Sequence, residues 1–266
     1  MSRLVEAAKC LLDRCEAVEE LIDSKDADGI VHVIVCRDVD EYTLLITRLR
    51  KLALPIRPGG SSTAAGPLTR LACDAEQWVG PTIPWLAADL PVERARKILA
   101  NRLKRLFENE GFKGKNTLVV FEAKANEWNP DRDRELVRRL AEHCATLALP
   151  DTLQVLIVYY ESKSPSRVGR IREQRERLAA LWTRSEPPTH CGACIKLTEI
   201  GADDLNPWSH AISREWGRPQ QEIVTAIRER LPDGKRLAMR ELHAALDPLI
   251  TAYAADCLNA RERRTP

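Results

Sequence analysis

The chain has 266 residues, of which 44% are hydrophobic and 30% are charged, so it is long enough to bury one large core or two modest ones and is not disordered. Its formal net charge is only +2, so the overall charge does not favour binding to nucleic acid or to an anionic membrane surface. The apolar runs are too short to span a bilayer, and the first residues lack the apolar core of a signal peptide. We therefore expect a cytoplasmic protein with reduced cysteines.

An amphipathic helix is predicted near the start of the chain, followed by a polar linker that ends at residue 28. Its apolar residues recur at alternating spacings of four and three, which places them along one narrow seam of the helix. Such a seam either binds a partner protein or packs on the protein's own body. The residues that we expect to contact a partner are Leu4, Leu11, Val18 and Ile22.

Residues 29–200 alternate between buried strands and amphipathic helices. Strands separated by helices indicate a mostly parallel sheet with helices on both faces, so we predict a three-layer α/β domain. We expect the last strand at an edge of the sheet, because its apolar residues alternate with polar ones. The predicted strands are 30–36, 117–121, 152–159 and 194–199, and the predicted helices are 38–52, 91–108, 129–144 and 166–183, with residues 54–90 irregular and anchored by Trp78 and Trp85.

The remainder of the chain, residues 201–266, is predicted to be a helical C-terminal extension. Apolar residues recur at helical spacing in two stretches, one around Ile223 and Ile227 and one around Leu242 and Leu246. The predicted organisation is therefore an N-terminal helix and linker (1–28), an α/β domain (29–200) and a helical extension (201–266).

The turn after the first predicted strand has no phosphate-binding sequence. In nucleotide-binding α/β proteins this turn carries GxxxxGK[ST], whose glycines allow backbone N–H groups to close around a phosphate. Here the residues are Arg37-Asp38-Val39-Asp40-Glu41, which include no glycine or lysine and whose carboxylates would repel a triphosphate. The sequence therefore predicts a protein with the shape of an NTPase that does not handle nucleotide.

Several short segments together match the pattern of one family of such proteins. The segments are Leu45-Ile46-Thr47-Arg48-Leu49, Trp85-Leu86, Val119-Val120-Phe121-Glu122 with Trp128, Leu156-Ile157-Val158-Tyr159-Tyr160, and Met239-Arg240-Glu241-Leu242 leading to Leu249-Ile250. On these segments the body of the chain, from about residue 31 to about residue 250, resembles the inactive STAND domains of bacterial conflict and antiphage systems. Those domains are similar to STAND NTPases that have lost the phosphate-binding loop.

The resemblance implies a P-loop-NTPase-like sheet and a non-catalytic scaffold or adaptor of a bacterial immunity system, which couples recognition to an effector such as a protease. It implies protein partners, namely an effector or a sensor of the same defence system. From the net charge and the short apolar runs we expect no membrane partner, and nucleic acid is not favoured. The resemblance supplies no catalytic, cofactor-binding or metal-ligating residue and no cofactor. Residues 1–28 are too few for the separate adaptor domain that family members commonly carry, so either the first helix alone contacts a partner or it packs against the protein's own sheet.

Glu122-Ala123-Lys124, at the end of a buried strand, supports an alternative function as a metal-dependent nuclease of the (D/E)xK type. In that class the acid ligates a metal ion and the lysine steadies the attacking water. The class also requires an aspartate on a preceding hairpin strand, whereas the segment before this strand is predicted to be a helix. Such a tripeptide is common by chance, so the sequence favours a solvated strand end over the nuclease.

Two other clusters have both a structural and a functional interpretation. His190, Cys191 and Cys194 are three possible zinc ligands, and a fourth would have to come from a distant residue such as His143 or Cys144. A basic helix could lie along phosphates, but its glutamates at helical spacing favour a solvated, salt-bridged face. Its arginines are Arg167, Arg170, Arg172, Arg175, Arg177 and Arg184.

Overall fold

The computed structural model describes two compact units, which we treat separately. Among the described residues, the sheet unit has a five-stranded parallel sheet with two long helices, and the helical unit has the other long helices and an antiparallel pair of short strands. The residues described are 2–12, 30–37, 42–51, 78–108, 112, 115–124, 127–146, 153–161, 176–177, 180, 191–231 and 234–262.

The sheet unit is built on a five-stranded sheet in the order β2-β3-β4-β1-β5, in which every neighbouring pair is parallel. This confirms the predicted mostly parallel α/β sheet. The chain starts in the interior strand β1, passes to the edge strand β2, returns through β3 and β4, and then crosses β1 to reach the opposite edge. The strands are β1 (Val31–Arg37), β2 (Thr82–Pro84), β3 (Thr117–Lys124), β4 (Leu153–Glu161) and β5 (Cys191–Lys196).

The edge position predicted for the last strand is confirmed, because β5 pairs with β1 on one side and ends the sheet. The strand β2 was not predicted. It has three residues, it ends in a proline, and two of its side chains are exposed, so it carries neither the alternation nor the apolar run that marks a strand. Its position is fixed instead by pairing with Val120, Phe121 and Glu122 of β3.

Two helices of the sheet unit pack on one face of the sheet. They are α3 (Val92–Phe107) and α4 (Pro130–Thr146), and both lie close to their predicted bounds. Leu99 and Leu103 of α3 and Leu136 of α4 share a core with the odd-numbered residues of β1, β3 and β4. The even-numbered residues Ile34 and Val120 are equally buried, so the strands are covered on both faces, as parallel strands generally are.

The helical unit collects segments from the two ends of the chain. Its antiparallel pair of short strands, β6 and β7, was not predicted, because strands of two residues carry no periodic signal. Three α-helices follow residue 201, in the region where the sequence predicts helices. The elements are α1 (Ser2–Leu12), α2 (Tyr42–Lys51), β6 (Ile200–Gly201), a 3₁₀ turn (Asp203–Leu205), α5 (Asn206–Trp216), α6 (Gln220–Arg230), β7 (Arg236–Leu237) and α7 (Met239–Glu262).

The first helix lies inside the helical unit. Leu11 is only 5% exposed and shares a core with residues of α5 and α7. The Trp208 indole N–H donates to the Ala8 carbonyl at 2.9 Å, and the Arg48 guanidinium of α2 donates to the Leu11 carbonyl at 3.2 Å. Lys9 forms an ion pair with Asp247 of α7.

The observed units differ from the contiguous segments 1–28, 29–200 and 201–266 that the sequence predicts. The helix α1 shares one core with the C-terminal helices, and α2 belongs to the same compact unit, where Leu44 packs against that core. Sequence periodicity identifies the apolar face of a helix but not the element that covers it. In the described part of the chain, no helix is both long enough and apolar enough to cross a membrane.

The burial of α1 predicts that Leu11→Ala destabilises the helical unit. Removing a buried leucine side chain leaves a cavity, so the free energy of unfolding should fall by about 2–5 kcal/mol. Urea unfolding followed through tryptophan fluorescence measures this, because Trp208 contacts α1 directly. Glu6→Ala, at an exposed position of the same helix, is the control. Equal stability of the two variants would show that the Leu11 side chain is not part of the core.

Candidate functional site

The carboxyl ends of β1, β2, β3 and β4 form the edge of the sheet at which parallel α/β proteins bind ligands. The interior strand β1 ends at Arg37, which is in register with Glu161 at the end of β4. The connection that follows β1, residues 38–41, lies outside the described residues. Its sequence contains two aspartates and one glutamate, so a phosphate group approaching this end of β1 would meet carboxylates.

The candidate nuclease pair lies on β3 between two parallel neighbours, β2 and β4. Glu122 is half-buried and Lys124 is exposed, and alternation places both on the face opposite Phe121. The Lys124 backbone N–H donates to the Glu127 carboxylate at 2.8 Å. The antiparallel strand that the nuclease class requires is therefore not beside Glu122 in this sheet.

The candidate zinc ligands Cys191 and Cys194 lie on the edge strand β5, where both are half-buried, while His190 lies outside the described residues. Burial raises the pKa of Cys191 to about 12. Burial, with a smaller contribution from Cys191, also raises the pKa of Cys144 to about 12. Thiols with such values keep their protons at neutral pH when no metal ion is bound. Among the described residues, no group of three or more His, Cys, Asp or Glu side chains could hold a metal ion.

A buried ion pair at the start of α4 dominates the carboxyl edge on the side of β2 and β3. Asp133 is fully buried and Arg132 is only 9% exposed. The Arg132 Nε–H donates to Asp133 Oδ1 at 2.8 Å, and a second N–H of the guanidinium donates to the same oxygen. The Asp133 carboxylate also accepts the Asn129 backbone N–H at 3.2 Å and the Trp85 indole N–H at 3.4 Å.

The Arg132 guanidinium joins the start of α4 to the loop after β2 and to the turn after β3. It donates to the carbonyls of Leu86 (3.5 Å) and Ala87 in the loop after β2, and to the carbonyl of Glu127 (3.3 Å) in the turn after β3. The Asn129 side-chain amide donates to the Ala88 carbonyl at 3.3 Å. The Arg132 guanidinium and the Asn129 amide thus hydrogen-bond the start of α4 to the carbonyls of these two connections.

Aromatic rings enclose this ion pair from the side of the sheet. Trp85 packs edge-to-face on Phe121 and Tyr159, with ring centroids 5.5 and 6.3 Å apart, and Trp128 packs edge-to-face on Tyr159 at 6.0 Å. The Trp128 indole N–H donates to the Ala123 carbonyl at 2.8 Å. Burial and the neighbouring Asp133 charge raise the pKa of the Tyr159 phenol, so it stays protonated.

Burial also raises the pKa of Asp133, and the Arg132 guanidinium opposes that rise. The carboxylate accepts four hydrogen bonds from the protein's own donors. A carboxylate with its acceptor sites occupied in this way is suited to holding structure together and not to accepting a substrate proton. The sequence analysis missed this cluster, because Arg132 and Asp133 stand in a charged helical segment that is typical of a solvated face.

The four residues predicted to contact a partner are placed only in part. Leu11 is buried and Leu4 is half-buried at the margin of the same core. Val18 and Ile22 lie outside the described residues. The described half of the apolar seam therefore packs within the helical unit, which is the second of the two roles that the sequence left open, and a partner contact through the seam stays a prediction.

Comparison with known proteins identifies no family. No protein-family model matches the chain, and neither does any curated protein. Among solved structures, the chain is similar to a chain of the E. coli MS115-1 HORMA:CdnC:Trip13 complex, with 12% identity, coverage of 100% of this chain and 87% of that one, and a TM-score of 0.34. It is also similar to the Walker-type ATPase paby2304 of Pyrococcus abyssi, with 15% identity, coverage of 95% and 76%, and a TM-score of 0.34. Likenesses at this TM-score carry no argument about fold or function.

The geometry of the ion pair predicts that Asp133→Asn strongly destabilises the sheet unit. The substitution leaves the Arg132 guanidinium buried without a counter-charge, which should lower the free energy of unfolding by about 3–5 kcal/mol. Asp131→Asn is the matched control, because Asp131 lies two residues earlier and pairs with Arg177 in an exposed position. That control should cost less than about 1 kcal/mol in the same urea titration. Similar midpoints for the two variants would contradict the role given to the buried pair.

Proposed function

We propose that this chain is a non-catalytic scaffold or adaptor with a P-loop-NTPase-like sheet. As the resemblance to inactive STAND domains implies, it would act in the cytoplasm as part of a bacterial immunity system against phage or competing elements. There it would couple a recognition event to an effector such as a protease, through contacts with other proteins of the same system and without a cofactor of its own.

One observation carries this proposal: the acidic sequence that follows the interior strand β1. In a parallel sheet the phosphate-binding turn follows a strand of this kind, because the carboxyl ends of the strands and the start of the next helix meet there. The residues between β1 and α2 provide neither glycines for close backbone approach nor a lysine for the phosphates. Three carboxylates at that position disfavour an anionic ligand by charge.

The buried ion pair supports the same proposal from the other side of the sheet. The carboxyl ends of β2 and β3 are filled by Trp85, Trp128 and the Arg132–Asp133 pair, whose polar groups satisfy one another and the neighbouring carbonyls. A ligand in this region would have to replace those hydrogen bonds. A sheet that fills its own ligand-binding edge is suited to rigid support of partner contacts.

The nuclease alternative has less support. It requires Glu122 to face a metal together with an acid on an antiparallel neighbour, and both neighbours of β3 are parallel. Glu122 and Lys124 stand at the end of a strand, where charged residues are common without catalytic function. No observation on the described residues favours this alternative over the scaffold.

Nucleotide binding provides the direct test. A nucleotide at about 100 times its Kd would stabilise the folded protein by about 2.7 kcal/mol. We expect that MgATP, MgADP and MgGTP at millimolar concentration leave the thermal unfolding midpoint of the full chain unchanged and that ATP hydrolysis stays at background. A midpoint that rises with MgATP concentration in a saturable manner would overturn the proposal and indicate a nucleotide sensor with an unusual binding loop.

The scaffold role itself is tested by capture of the full chain, tagged at its chromosomal locus, from its native host. We expect one protein to be recovered in near-equal amount with the wild-type chain and to be lost with Asp133→Asn. The same protein should be recovered with Asp131→Asn, which keeps the fold. That result would show that the loss with Asp133→Asn comes from loss of the fold and not from substitution itself. Absence of any stoichiometric partner before and during phage infection would contradict the scaffold.

A further inference from the structure

The helix α3 carries cationic side chains on two faces, and only one of these faces is neutralised. Toward α4, Arg96 pairs with Glu93 at 3.3 Å, and Arg139 of α4 pairs with the same glutamate. Glu135 accepts hydrogen bonds from Arg138 at 2.7 Å and from Arg139 at 2.6 Å, and these hydrogen bonds lower the pKa of Glu135 to about 2. Arg138 also pairs with Glu142, so three carboxylates balance three guanidinium groups where α3 meets α4.

The opposite side of α3, which we name the outer face, carries the charges that are not balanced. At about 100° per residue its members fall within a sector about 100° wide. The sector also contains one acid, Glu108 at the end of the helix, so its net charge is positive but not purely cationic. The exposed cations and amide of the face are Arg94, Lys97, Asn101, Lys104 and Arg105. Lys104 has only a loose contact of 3.8 Å with Glu108, in which both side chains are more than 60% exposed. In the ranges that the structure describes, no carboxylate lies within ion-pair distance of Arg94, Lys97 or Arg105.

The four cations follow the helix axis over about 16 Å, because the rise is about 1.5 Å per residue. A nucleic acid duplex carries about one negative charge per 1.7 Å of its axis, so a row of this length faces several phosphates at once. Lysine and arginine side chains are long enough to reach phosphate oxygens on either side of a helix laid on the backbone. We propose that the outer face of α3 binds the phosphodiester backbone of a nucleic acid duplex.

The composition of the outer face favours nucleic acid over an acidic protein. Protein interfaces have an apolar core with aromatic anchors, and charged residues are depleted from it. The outer face has no aromatic and no aliphatic member, whereas interfaces with nucleic acid are polar and strongly cationic. Asn101, at the centre of the row, supplies an amide N–H of the kind that hydrogen-bonds to phosphate oxygens.

The charge count sets the strength and the kind of binding. Up to four phosphates are neutralised, so the logarithm of the association constant should fall with the logarithm of salt concentration with a slope of about −3 to −4. This corresponds to a loss of affinity of about 100-fold between 50 mM and 200 mM salt. The binding is independent of base sequence, because the row contacts the backbone only. It is an activity additional to the scaffold role and does not depend on it.

Fluorescence anisotropy with the full chain and a labelled 20-base-pair DNA duplex tests this inference. At 50 mM salt we expect saturable binding with a Kd in the micromolar range or below and the slope given above. The double variant Arg94→Gln/Lys97→Gln should weaken binding at least tenfold and reduce the magnitude of the slope by about 2, because two phosphate contacts are removed. An RNA duplex of the same sequence distinguishes the two sources of the backbone: tighter binding of one duplex assigns the face to that form.

The matched control is Arg214→Gln/Arg228→Gln, which removes two exposed cations of the helical unit and gives the same net charge. We expect this variant to bind the duplex as the wild type does, and circular dichroism should show that all the proteins are folded. Equal weakening by both variants would overturn the proposal, since it would show a general charge effect. Tighter binding of polyglutamate or of phosphatidylserine vesicles than of either duplex would also overturn it and assign the face to an acidic protein or a membrane.

Discussion

The sheet unit depends on one charge pair kept away from water. Burial of Arg132 and Asp133 is costly, because both ions lose hydration, and the pair is tolerable only when nearly every remaining donor and acceptor is satisfied. The structure meets that condition with carbonyls of the loop after β2 and of the turn after β3, and with the Trp85 indole. These connections are therefore fixed by the same requirement, and the aromatic rings of the core are fixed with them.

That requirement also explains why the carboxyl edge differs from a ligand-binding edge. In a binding protein, the loops at this edge keep donors available for the ligand, and the unliganded loops are held less tightly. Here the guanidinium of Arg132 occupies the carbonyls and the carboxylate of Asp133 occupies the donors, so the loops after β2 and β3 are joined by internal bonds. The acidic connection after β1 adds a repulsive charge in place of an attractive one. Both features support the non-catalytic role proposed above, because a ligand at the ends of β2 and β3 would have to displace hydrogen bonds within the protein.

The sequence predicts those elements of the fold that have a periodic pattern of apolar residues. The buried runs of β1, β3 and β4 and the leucine stripe of α3 follow from local periodicity, and the structure confirms them. The Arg132–Asp133 pair did not follow, because its burial depends on Leu86 and Ala87, about 45 positions earlier in the chain. The elements that cover α1 could not be predicted for the same reason. The spacing of apolar residues predicts which face of α1 is buried, but that face packs against residues from position 208 onward, far away in the sequence.

The charged surface residues show the same limit: the sequence does not reveal which cations of α3 have a carboxylate partner. The net charge of +2 and the mixed sequence of α3 both suggest an ordinary solvated helix, and for Arg96 the structure agrees, since an acid from its own helix neutralises it. Arg94 and Lys97 belong to the same segment, yet they project away from α4 and from its glutamates. A cation that already has a carboxylate partner gains little from a phosphate, because the existing pair must first be broken. The packing of α3 on α4 therefore decides which cations are available to a polyanion. The nearly neutral composition of the chain does not show these cations.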